Sequence, residues 1–216
     1  MTDRDKKSPP LRKLNAELLA MVRIASTILQ HTELDDILAA ITRELAQLID
    51  FDRSSIAIID PERQCLFLQH IHKRTGGAEP IGEGCPVSLD ESTVIGWVAL
   101  NRRALLRRDV AADPRFREVV KEEQLQSDMV VPLVAHGNVI GTLNAGSYRR
   151  NAFDDADLEK LVNCGNIASG AIEHALLLRE AKDLGERYRT LQRNASDIIM
   201  LIDRNTGRLV EVNRQC

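Results

Sequence analysis

The stretch SDMVVPLVAHGNVIGTLNAG, residues 127–146, predicts two β-strands joined by a short turn. The first strand is almost entirely apolar, whereas the second carries Gly141, Thr142 and Asn144 near its end. Because side chains alternate across a strand, Gly141 and Ala145 share one face, and Thr142 and Asn144 share the other. A strand with such small and mildly polar side chains either lets another element pack closely or forms the floor of a pocket.

The composition is typical of a soluble protein with one well-packed domain and some appendages. Of the 216 residues, 44% are hydrophobic and 28% are charged, and the formal net charge is −3. There is no basic surplus that would indicate nucleic acid, and the apolar runs are far shorter than the roughly 18 residues of a membrane span. The four cysteines show no CxxC or zinc-ligand spacing, and residues 1–10 lack the apolar core of a secretory signal. We therefore expect a reduced, cytoplasmic protein with no nucleic-acid partner, no membrane span and no required cofactor.

The beginning of the chain predicts a disordered lead followed by a helix. Residues 1–10 are charged and end in two prolines. Residues 11–30 then place apolar side chains in alternating steps of three and four, the a/d pattern of a coiled coil. We interpret residues 11–30 as an N-terminal dimerisation helix, although the same stripe is compatible with packing on its own domain. The predicted interface residues of this helix are Leu11, Leu14, Leu18, Met21, Ala25 and Ile28.

Three further segments have the composition of strands. Residues 53–60 and 65–73 are joined by the turn DPER, with Pro61 at its second position. CPVSL, residues 85–89, predicts a short strand. The stretch before it, TGGAEPIGEG at residues 75–84, predicts a loop because it is rich in Gly and Pro.

The starts of three helices can be predicted from capping signals. Thr32 with Asp35 resembles a capping box, and Ser92 is the expected N-cap of the helix TVIGWVALNRR. Asp154 is placed to cap the last helix, with Phe153 before it as a hydrophobic staple.

The last helix carries two apolar stripes that are displaced by one position. The first, from Leu161 to Leu178, fits packing on a sheet. The second fits pairing with a partner helix, so residues 179–195 are interpreted as a signalling coiled-coil helix. The second stripe adds Leu177, Leu184, Tyr188 and Leu191 to the predicted dimer interface.

Residues 196–216 predict a hairpin with an Asn-Thr-Gly turn, followed by Asn213 as a helix cap. An isolated hairpin is only marginally stable in water. We therefore expect the chain to be a fragment of a longer protein.

Three stretches together resemble a GAF domain. They are VVPLVAHGNVIGTLNAG, VIGWVALNRRALLRRDVAADPRF and FDDADLEKLVNCGNIASGAIEHA. For residues 31–178 the resemblance implies an α/β (α+β) fold: a central antiparallel sheet with the terminal helices on one face and a ligand cup on the other. The tail YRTLQRNASDIIMLIDRNTGRLVEVN resembles the opening of a PAS domain, which makes residues 196–216 a truncated PAS-like hairpin. A GAF domain leading into a PAS domain implies a multidomain bacterial sensor whose output is a histidine kinase, a diguanylate cyclase or a transcription activator.

The resemblance implies a small-molecule site in the cup. An apolar wall would come from Trp97, Phe116, Met129 and Val131. Polar contacts would come from Arg107, Asp109, Ser127 and Asn144, because small-molecule sites need a few placed polar groups. The alternative is a collapsed cup in which Trp97 is a core residue and Arg107 points to solvent.

Two other ligand classes have weaker support. Phe153 and Asp157 match part of the Phe-x-x-x-Asp-Glu pattern of cyclic-nucleotide-binding GAF domains, but Leu158 stands where Glu is expected, and a helix cap explains the same residues. His70 and His72 lie on one face of a strand and could ligate a metal or haem. No third ligand is evident, so a solvated polar strand face is the favoured interpretation of this pair.

Cysteine chemistry provides an alternative from the enzyme class. Cys85 lies in GEGCPVSL, which loosely resembles the cysteine segment of free methionine-R-sulfoxide reductases, another GAF family. Where their other cysteine is expected, this chain has Ala111 and Ala112. The chain offers Cys65 as a replacement, but its strand position is typical of an inert thiol.

A basic cluster follows the predicted TVIGWVALNRR helix. It is formed by Arg102, Arg103, Arg107 and Arg108, and a solvated face is favoured over an anion entry path.

The sequence therefore predicts a sensor and dimerisation module that binds an unknown small molecule, forms a homodimer and relays a signal through its C-terminal helix. A histidine kinase or a diguanylate cyclase is the expected parent protein. The alternatives are a thiol enzyme of the methionine sulfoxide reductase type and a dimerisation spacer without a ligand.

Overall fold

The computed structural model describes residues 22, 25, 26, 30–74, 77–116, 125–194, 200–204 and 206–212. The chain divides into two compact units, residues 1–173 and 174–216. Most of the predicted N-terminal interface, the side chain of Cys85 and the predicted cap Asn213 lie outside the described residues.

The first unit is built on a six-stranded antiparallel sheet with the strand order β3-β2-β1-β6-β5-β4. The 127–146 stretch supplies β5 and β6, and β6 pairs with β1 in the middle of the sheet. The strands are β1 (Arg53–Asp60), β2 (Cys65–Lys73), β3 (Gly77–Ser88), β4 (Leu105–Arg107), β5 (Ser127–Ala135) and β6 (Asn138–Ser147).

The sequence predictions for the first two strands are confirmed residue for residue. The prediction of a loop at residues 75–84 is wrong, because Gly77–Ser88 is a single strand of 12 residues paired with β2. Gly and Pro disfavour central strands, but β3 lies at the edge of the sheet, where one side of the strand needs no hydrogen-bond partner. The tertiary position of the segment therefore overrides its weak strand preference.

The hairpin of β5 and β6 turns through two residues, His136 and Gly137, whose φ angles are 46° and 81°. Positive φ at both central residues defines a type I′ turn, whose twist matches that of the flanking strands. Gly137 adopts this conformation without the steric cost that a Cβ brings.

Helices cover one face of the sheet, which we call the helix face. They are α1 (Leu34–Leu48) and the N-terminal part of α3 (Asp155–Asn194). The hydroxyl of Thr42 in α1 lies 3.1 Å from Nε2 of His70 in β2. In α3, a Cβ added at Gly165 would lie 3.3 Å from a methyl carbon of Val131, so the absence of a side chain lets the helix approach β5 closely. The predicted placement of the terminal helices on one face is confirmed.

Two of the predicted N-caps are shifted by one residue. Helix α1 begins after Glu33, whose backbone is extended and whose side chain makes no cap bond, so the predicted capping box at Thr32 is wrong. Helix α2 (Val94–Asn101) is capped by Thr93 rather than Ser92, since Oγ1 of Thr93 accepts a hydrogen bond of 3.1 Å from the N–H of Gly96. Both Ser and Thr can cap, and the backbone geometry of the preceding loop decides which one does.

The predicted capping box of α3 is confirmed. The N–H of Asp157 donates to Asp154 over 2.9 Å, and the N–H of Asp154 donates to Asp157 over 3.3 Å. Phe153 before them is buried.

Helix α2 packs on the opposite face of the sheet, which we call the cup face. Gly141 permits the close approach of β6 to β1, because a Cβ there would lie 2.1 Å from the carbonyl oxygen of Ala57. The apolar core of the cup face consists of Ala57, Leu66, Leu68, Val87, Val94, Ile95, Val98, Ala99, Phe116 and Val130.

The second unit contains the C-terminal part of α3 and a hairpin of β7 (Met200–Ile202) and β8 (Leu209–Val212). This hairpin is the one that the sequence predicts. Gly207 has a φ of 68°, and its N–H donates to the carbonyl of Asp203 over 2.9 Å. Across the part of the chain that the structure describes, no helix combines the length and apolarity needed to cross a membrane.

Candidate functional site

A row of charged side chains crosses one end of the cup face. Cross-strand pairing places Arg53 of β1 beside Gly146 of β6, Gly146 beside Asp128 of β5, and Asp128 beside Arg107 of β4. Paired residues in neighbouring strands project to the same side of a sheet. We call these four residues the polar row.

The Arg107–Asp128 pair is buried and bidentate. Nε of Arg107 donates to Asp128 over 2.8 Å, and its Nη2 donates to the second carboxylate oxygen. Each side chain is only 9% exposed. Breaking such a pair from one side leaves an uncompensated buried charge, which makes the pair a rigid feature of the cup.

An aromatic group lies against this ion pair. The guanidinium carbon of Arg107 is 5.5 Å from the ring centroid of Phe116, and that of Arg115 is 4.9 Å from it. The Phe116 ring meets the Trp97 ring edge to face at 6.3 Å. Asp113 makes a bidentate ion pair with Arg115, and this hydrogen bonding lowers the pKa of the Asp113 carboxyl below its usual value.

Uncharged polar groups occupy the next two cross-strand rows, which contain Asn144 and Thr142. The amide nitrogen of Asn144 donates to the hydroxyl of Ser55 over 3.1 Å. Among the described residues, no donor reaches Oδ1 of Asn144 and no partner reaches Oγ1 of Thr142. Both residues are at least nine-tenths buried. A buried amide oxygen without a donor is costly, so it indicates a position where another molecule can bind.

The space above Gly146 is filled from within the chain. A Cβ added at Gly146 would lie 2.6 Å from Cδ1 of Leu125 and 3.0 Å from its Cδ2. The Leu125 side chain therefore lies directly over the glycine, whose cross-strand neighbours are Arg53 and Asp128. We call this space the notch.

The Asp52 carboxylate binds the C-terminal end of β6, next to the polar row. Burial alone would raise the pKa of the Asp52 carboxyl, but hydrogen bonds from the Ser147 hydroxyl (2.6 Å) and the Tyr148 N–H (2.9 Å) bring the pKa below its usual value. The carboxylate thus holds the strand end in place.

Four of the predicted ligand-site residues share the cup face. Trp97, Phe116 and Arg107 form a continuous series of contacts, and Asn144 lies in the neighbouring row. The predicted solvent exposure of Arg107 under the collapsed-cup alternative is wrong, because Asp128 binds it in the interior.

The structure does not bring the other four into the cup. Met129 and Val131 project to the helix face, since they pair with Ala145 and Leu143 rather than with the cup residues. Their assignment to the cup wall is therefore wrong. Alternate residues of a strand point to opposite faces, and the sequence analysis assigned these two to the wrong face of β5.

Ser127 and Asp109 have local structural roles. The Ser127 hydroxyl donates to the carbonyl of Arg149 over 2.7 Å, on the same side of β5 as Met129, so its placement in the cup is also wrong. Asp109 caps the short 3₁₀ turn Val110–Ala112 and lies 3.3 Å from Arg150.

Sequence reasoning missed Arg53, Ser55, Asp128 and Leu125. The first three could have been found from the alternation of β1 and β5, once the pairing partners of Asn144 were known. Leu125 leaves no periodic signal because it precedes β5.

The two histidines lie on the helix face and not on a solvated one. His70 is only 2% exposed, and its ring lies under α1 against Thr42. His72 meets the Phe51 ring at 5.9 Å. Burial lowers the pKa of both imidazoles, with a further contribution from His72 at His70 and from Arg43 at His72. The interpretation of a solvated strand face is wrong, because α1 covers this end of β2.

Asp157, which matches part of the cyclic-nucleotide pattern, has a structural role. The carboxylate of Asp157 is used by the α3 cap and by Lys160, 2.8 Å away. The thiol of Cys164 is buried, and burial raises its pKa to about 12. No group of three or more His, Cys, Asp or Glu residues in the described ranges has the arrangement of a metal site.

The arginines of the predicted basic cluster bind different partners and do not act as one group. Arg102 donates to the carbonyl of Gly137 over 2.9 Å, and Arg108 lies 3.0 Å from Asp155 at the surface. The expectation of a solvated face is therefore wrong for Arg107, which is buried against Asp128.

A family model described as GAF domain matches residues 31–173, more than half of the chain. The chain therefore belongs to the GAF domain family, a sensor-type fold. No curated protein matches the chain significantly.

Solved structures share the fold at low identity. The GAF domain of an Acinetobacter phosphoenolpyruvate-protein phosphotransferase is 22% identical over 76% of this chain and 98% of that chain, with a TM-score of 0.65. Residues 122 to 287 of a methyl-accepting chemotaxis protein are 24% identical over 72% of this chain and 98% of that chain, with a TM-score of 0.60. A free methionine-R-sulfoxide reductase from Neisseria meningitidis, in complex with its substrate, is 21% identical over 84% of this chain and 99% of that chain, with a TM-score of 0.61. These similarities establish the fold.

Proposed function

We propose that this GAF domain is the ligand-sensing regulatory module of a multidomain bacterial signalling protein, with a histidine kinase or a diguanylate cyclase as its output. The cup binds a small molecule, and the C-terminal helix relays the binding event. The observation that carries the proposal is the buried polar end of the cup, where a bidentate ion pair and an amide oxygen without a donor lie beside an apolar core. A spacer that only dimerises has no need of buried charge, which costs stability compared with apolar packing.

The proposed relay rests on the exposed second stripe of α3. Leu177, Leu184 and Leu191 are spaced seven residues apart and are 58%, 68% and 71% exposed. Ala181 and Tyr188 alternate with them in steps of four and three, which is the pattern of a coiled-coil seam. We propose that a second copy of the chain covers this seam in a homodimer, and that a ligand shifts the balance between two packings of the helices.

The proposed place of the domain in the parent protein rests on its sequence context. Residues 179–195 act as the signalling helix, and the hairpin of residues 196–216 begins a PAS domain. A reduced, cytoplasmic location follows from the same interpretation of the four cysteines.

We propose that the domain itself is not catalytic. Cys164 stays a thiol, because a pKa of about 12 leaves almost no thiolate near neutral pH. The thiol-enzyme alternative then depends on Cys85. Assaying turnover of free methionine sulfoxide with the wild-type chain and with Cys85→Ser separates the two: a sensor shows no turnover in either, whereas turnover that the substitution abolishes would establish the enzyme.

Native mass spectrometry of the freshly purified chain, followed by the same sample denatured, tests the proposal directly. We expect a dimer with an excess mass that disappears on denaturation. A dimer without excess mass supports the spacer, and a monomer contradicts the relay.

The seam can be tested with a matched pair of variants. Leu184→Lys places a charge in the seam and should convert the dimer to a monomer at micromolar concentration. Glu186→Lys lies on the opposite side of the same helix and should leave the dimer intact. Cysteine cross-linking at Leu184 and Tyr188 should change in yield when the ligand is added, and an invariant yield would exclude the relay.

A further inference from the structure

We propose that the turn between β5 and β6 couples helix α2 on the cup face to helix α3 on the helix face, so that the cup and the exposed seam of α3 influence each other. This rests on the proposed function of that seam as a relay. The turn residues His136 and Gly137 are hydrogen-bonded to Glu173 of α3 and to Arg102 at the end of α2. We call these two contacts the turn bridge.

The cup side of the turn bridge begins at the C-terminal end of α2. Arg102 is the C-cap residue of this helix, and its Nη1 donates to the carbonyl oxygen of Gly137 over 2.9 Å. The same helix carries Trp97, whose ring meets the Phe116 ring in the cup. Because Trp97 and Arg102 are separated by only about one and a half helical turns, a displacement of the ring is passed to the C-cap.

The relay side of the turn bridge is the contact between the turn and α3. Nδ1 of His136 lies 2.6 Å from Oε2 of Glu173. An ionised carboxylate only accepts hydrogen bonds, so Nδ1 is the nitrogen that donates. Glu173 lies four residues before Leu177, where the exposed seam begins, and residues four apart share one face of a helix. The turn therefore holds α3 immediately before the seam.

The backbone at both contacts is in the left-handed region, where a Cβ is unfavourable. The φ angles of Arg102 and His136 are 55° and 46°. Gly is the residue most often found in this conformation at the end of a helix, and Gly, Asn and Asp are preferred in a type I′ turn. A glycine at either position would avoid the strain. The two strained positions carry instead the two long side chains that form the turn bridge, which points to a role for those side chains.

That role is the transmission of movement and not the stability of the fold. Arg102 is exposed, and the His136 side chain is 84% exposed, so neither contact adds much to stability. Coupling between two sites is reciprocal. If occupancy of the cup changes the association of the seam, then dissociation of the seam must change the cup. The turn bridge can therefore be tested without a known ligand.

Trp97 provides the measurement, because it is the single tryptophan of the chain and lies in α2. The full chain is diluted through its dimer–monomer transition. Sedimentation velocity gives the dimer fraction, and fluorescence of the same samples gives the emission maximum of Trp97. In the wild type we expect the emission maximum to shift in step with the dimer fraction.

Two substitutions of His136 separate its side chain from the backbone of the turn, since Asn and Asp both tolerate a positive φ. His136→Asn keeps an N–H donor at the position of Nδ1 and should retain the emission shift. His136→Asp places a second carboxylate against Glu173. It should reduce the shift at least about twofold, because an exposed pair alters an equilibrium about two- to fivefold.

Two further variants complete the test. Arg102→Gly removes the other contact and suits the left-handed C-cap, so it should also reduce the shift at least about twofold. It remains informative if His136→Asp disturbs the hairpin. Arg63→Gln, at an exposed arginine of the β1–β2 turn, should leave the shift unchanged.

The outcomes distinguish failure of the turn bridge from failure of the proposed function. A full shift in both His136→Asp and Arg102→Gly would overturn the turn bridge. A wild-type dimer that dissociates without any change in Trp97 emission would also overturn it, while leaving the dimer in place. Loss of the shift in His136→Asn would assign the effect to the turn backbone and exclude the hydrogen bond. A chain that is monomeric at every concentration contradicts both the relay and the turn bridge.

Discussion

The two faces of the central sheet bury polar side chains at the same end of the strands, but they bury different kinds of chemistry. On the helix face, the His70 imidazole contacts Thr42 of α1, and burial lowers the pKa of both His70 and His72. On the cup face, Arg107 and Asp128 are full charges in a bidentate pair. The helix face also buries an acidic residue, Glu44 of α1, at 9% exposure. The cup face differs because its charges form a bidentate pair between neighbouring strands, which couples β4 to β5.

The buried ion pair should show the largest effect. Arg107→Met leaves the Asp128 carboxylate buried without its partner, and we expect a loss of about 3–5 kcal/mol in the free energy of unfolding. Urea denaturation at pH 7 measures this loss. The double variant Arg107→Met/Asp128→Leu should regain most of the stability, because apolar groups of similar volume replace the pair.

The control for this prediction is Arg108→Met. Arg108 also forms an ion pair, with Asp155, but at the surface. The loss should be within about 1 kcal/mol. Equal losses for Arg107→Met and Arg108→Met would mean that the cup-face charges are not buried in solution.

Two glycines of β6 should differ in their tolerance of a methyl group. In Gly141→Ala the new Cβ meets the backbone oxygen of Ala57 at 2.1 Å, and the strands must separate. We expect a loss of about 1–3 kcal/mol or more in the free energy of unfolding. In Gly146→Ala the Cβ meets methyl carbons of Leu125, which can rotate away.

The expected loss for Gly146→Ala is therefore under about 1 kcal/mol. Thermal denaturation of the two variants in parallel measures the difference. A Gly146→Ala variant as unstable as Gly141→Ala would show that Leu125 is held as firmly as a core residue.

The helix face should make the protein sensitive to acid. The pKa of both His70 and His72 is lowered in the folded state, chiefly by burial, while Asp35 acts in the opposite direction at His70. Below the usual histidine pKa of about 6.5, the unfolded chain binds protons that the folded chain does not, so stability falls as the pH falls. Above that value the histidine contribution is fully present.

Urea denaturation between pH 7 and pH 5 measures the slope. His70→Leu should flatten it, whereas His174→Gln, at an exposed position of α3, should not. A slope unchanged by His70→Leu would assign the acid sensitivity to other groups.

The parts of the fold that the sequence predicted are those with strong local signals. The bounds of β1 and β2 follow from alternation and from the DPER turn, and the α3 cap follows from two reciprocal aspartates. The Ser92 cap and the 75–84 loop failed for a different reason. In each case the local residues are compatible with two structures, and contacts with distant strands or loops select one of them.

The candidate site shows the same contrast between what local sequence signals predict and what long-range contacts decide. The family resemblance was enough to place Trp97, Phe116, Arg107 and Asn144 on one face of the sheet; their role in a ligand site stays a prediction. Met129 and Val131 were placed on the wrong face because β5 is covered on both sides and is apolar throughout. Polar and apolar residues therefore do not alternate along it, and the sequence does not show which residues point to which face.

The sequence by itself determined the class of the domain, the central hairpin and the seven-residue apolar repeat of the last helix. These features depend on residues close together in the chain or on periodicity along one element. Only the tertiary structure decided that Arg53, Asp128 and Arg107 share a row, that Leu125 fills the notch and that His70 lies under a helix. Those relationships depend on the register between strands far apart in the chain, and register is settled by the packing of the whole sheet rather than by any single segment.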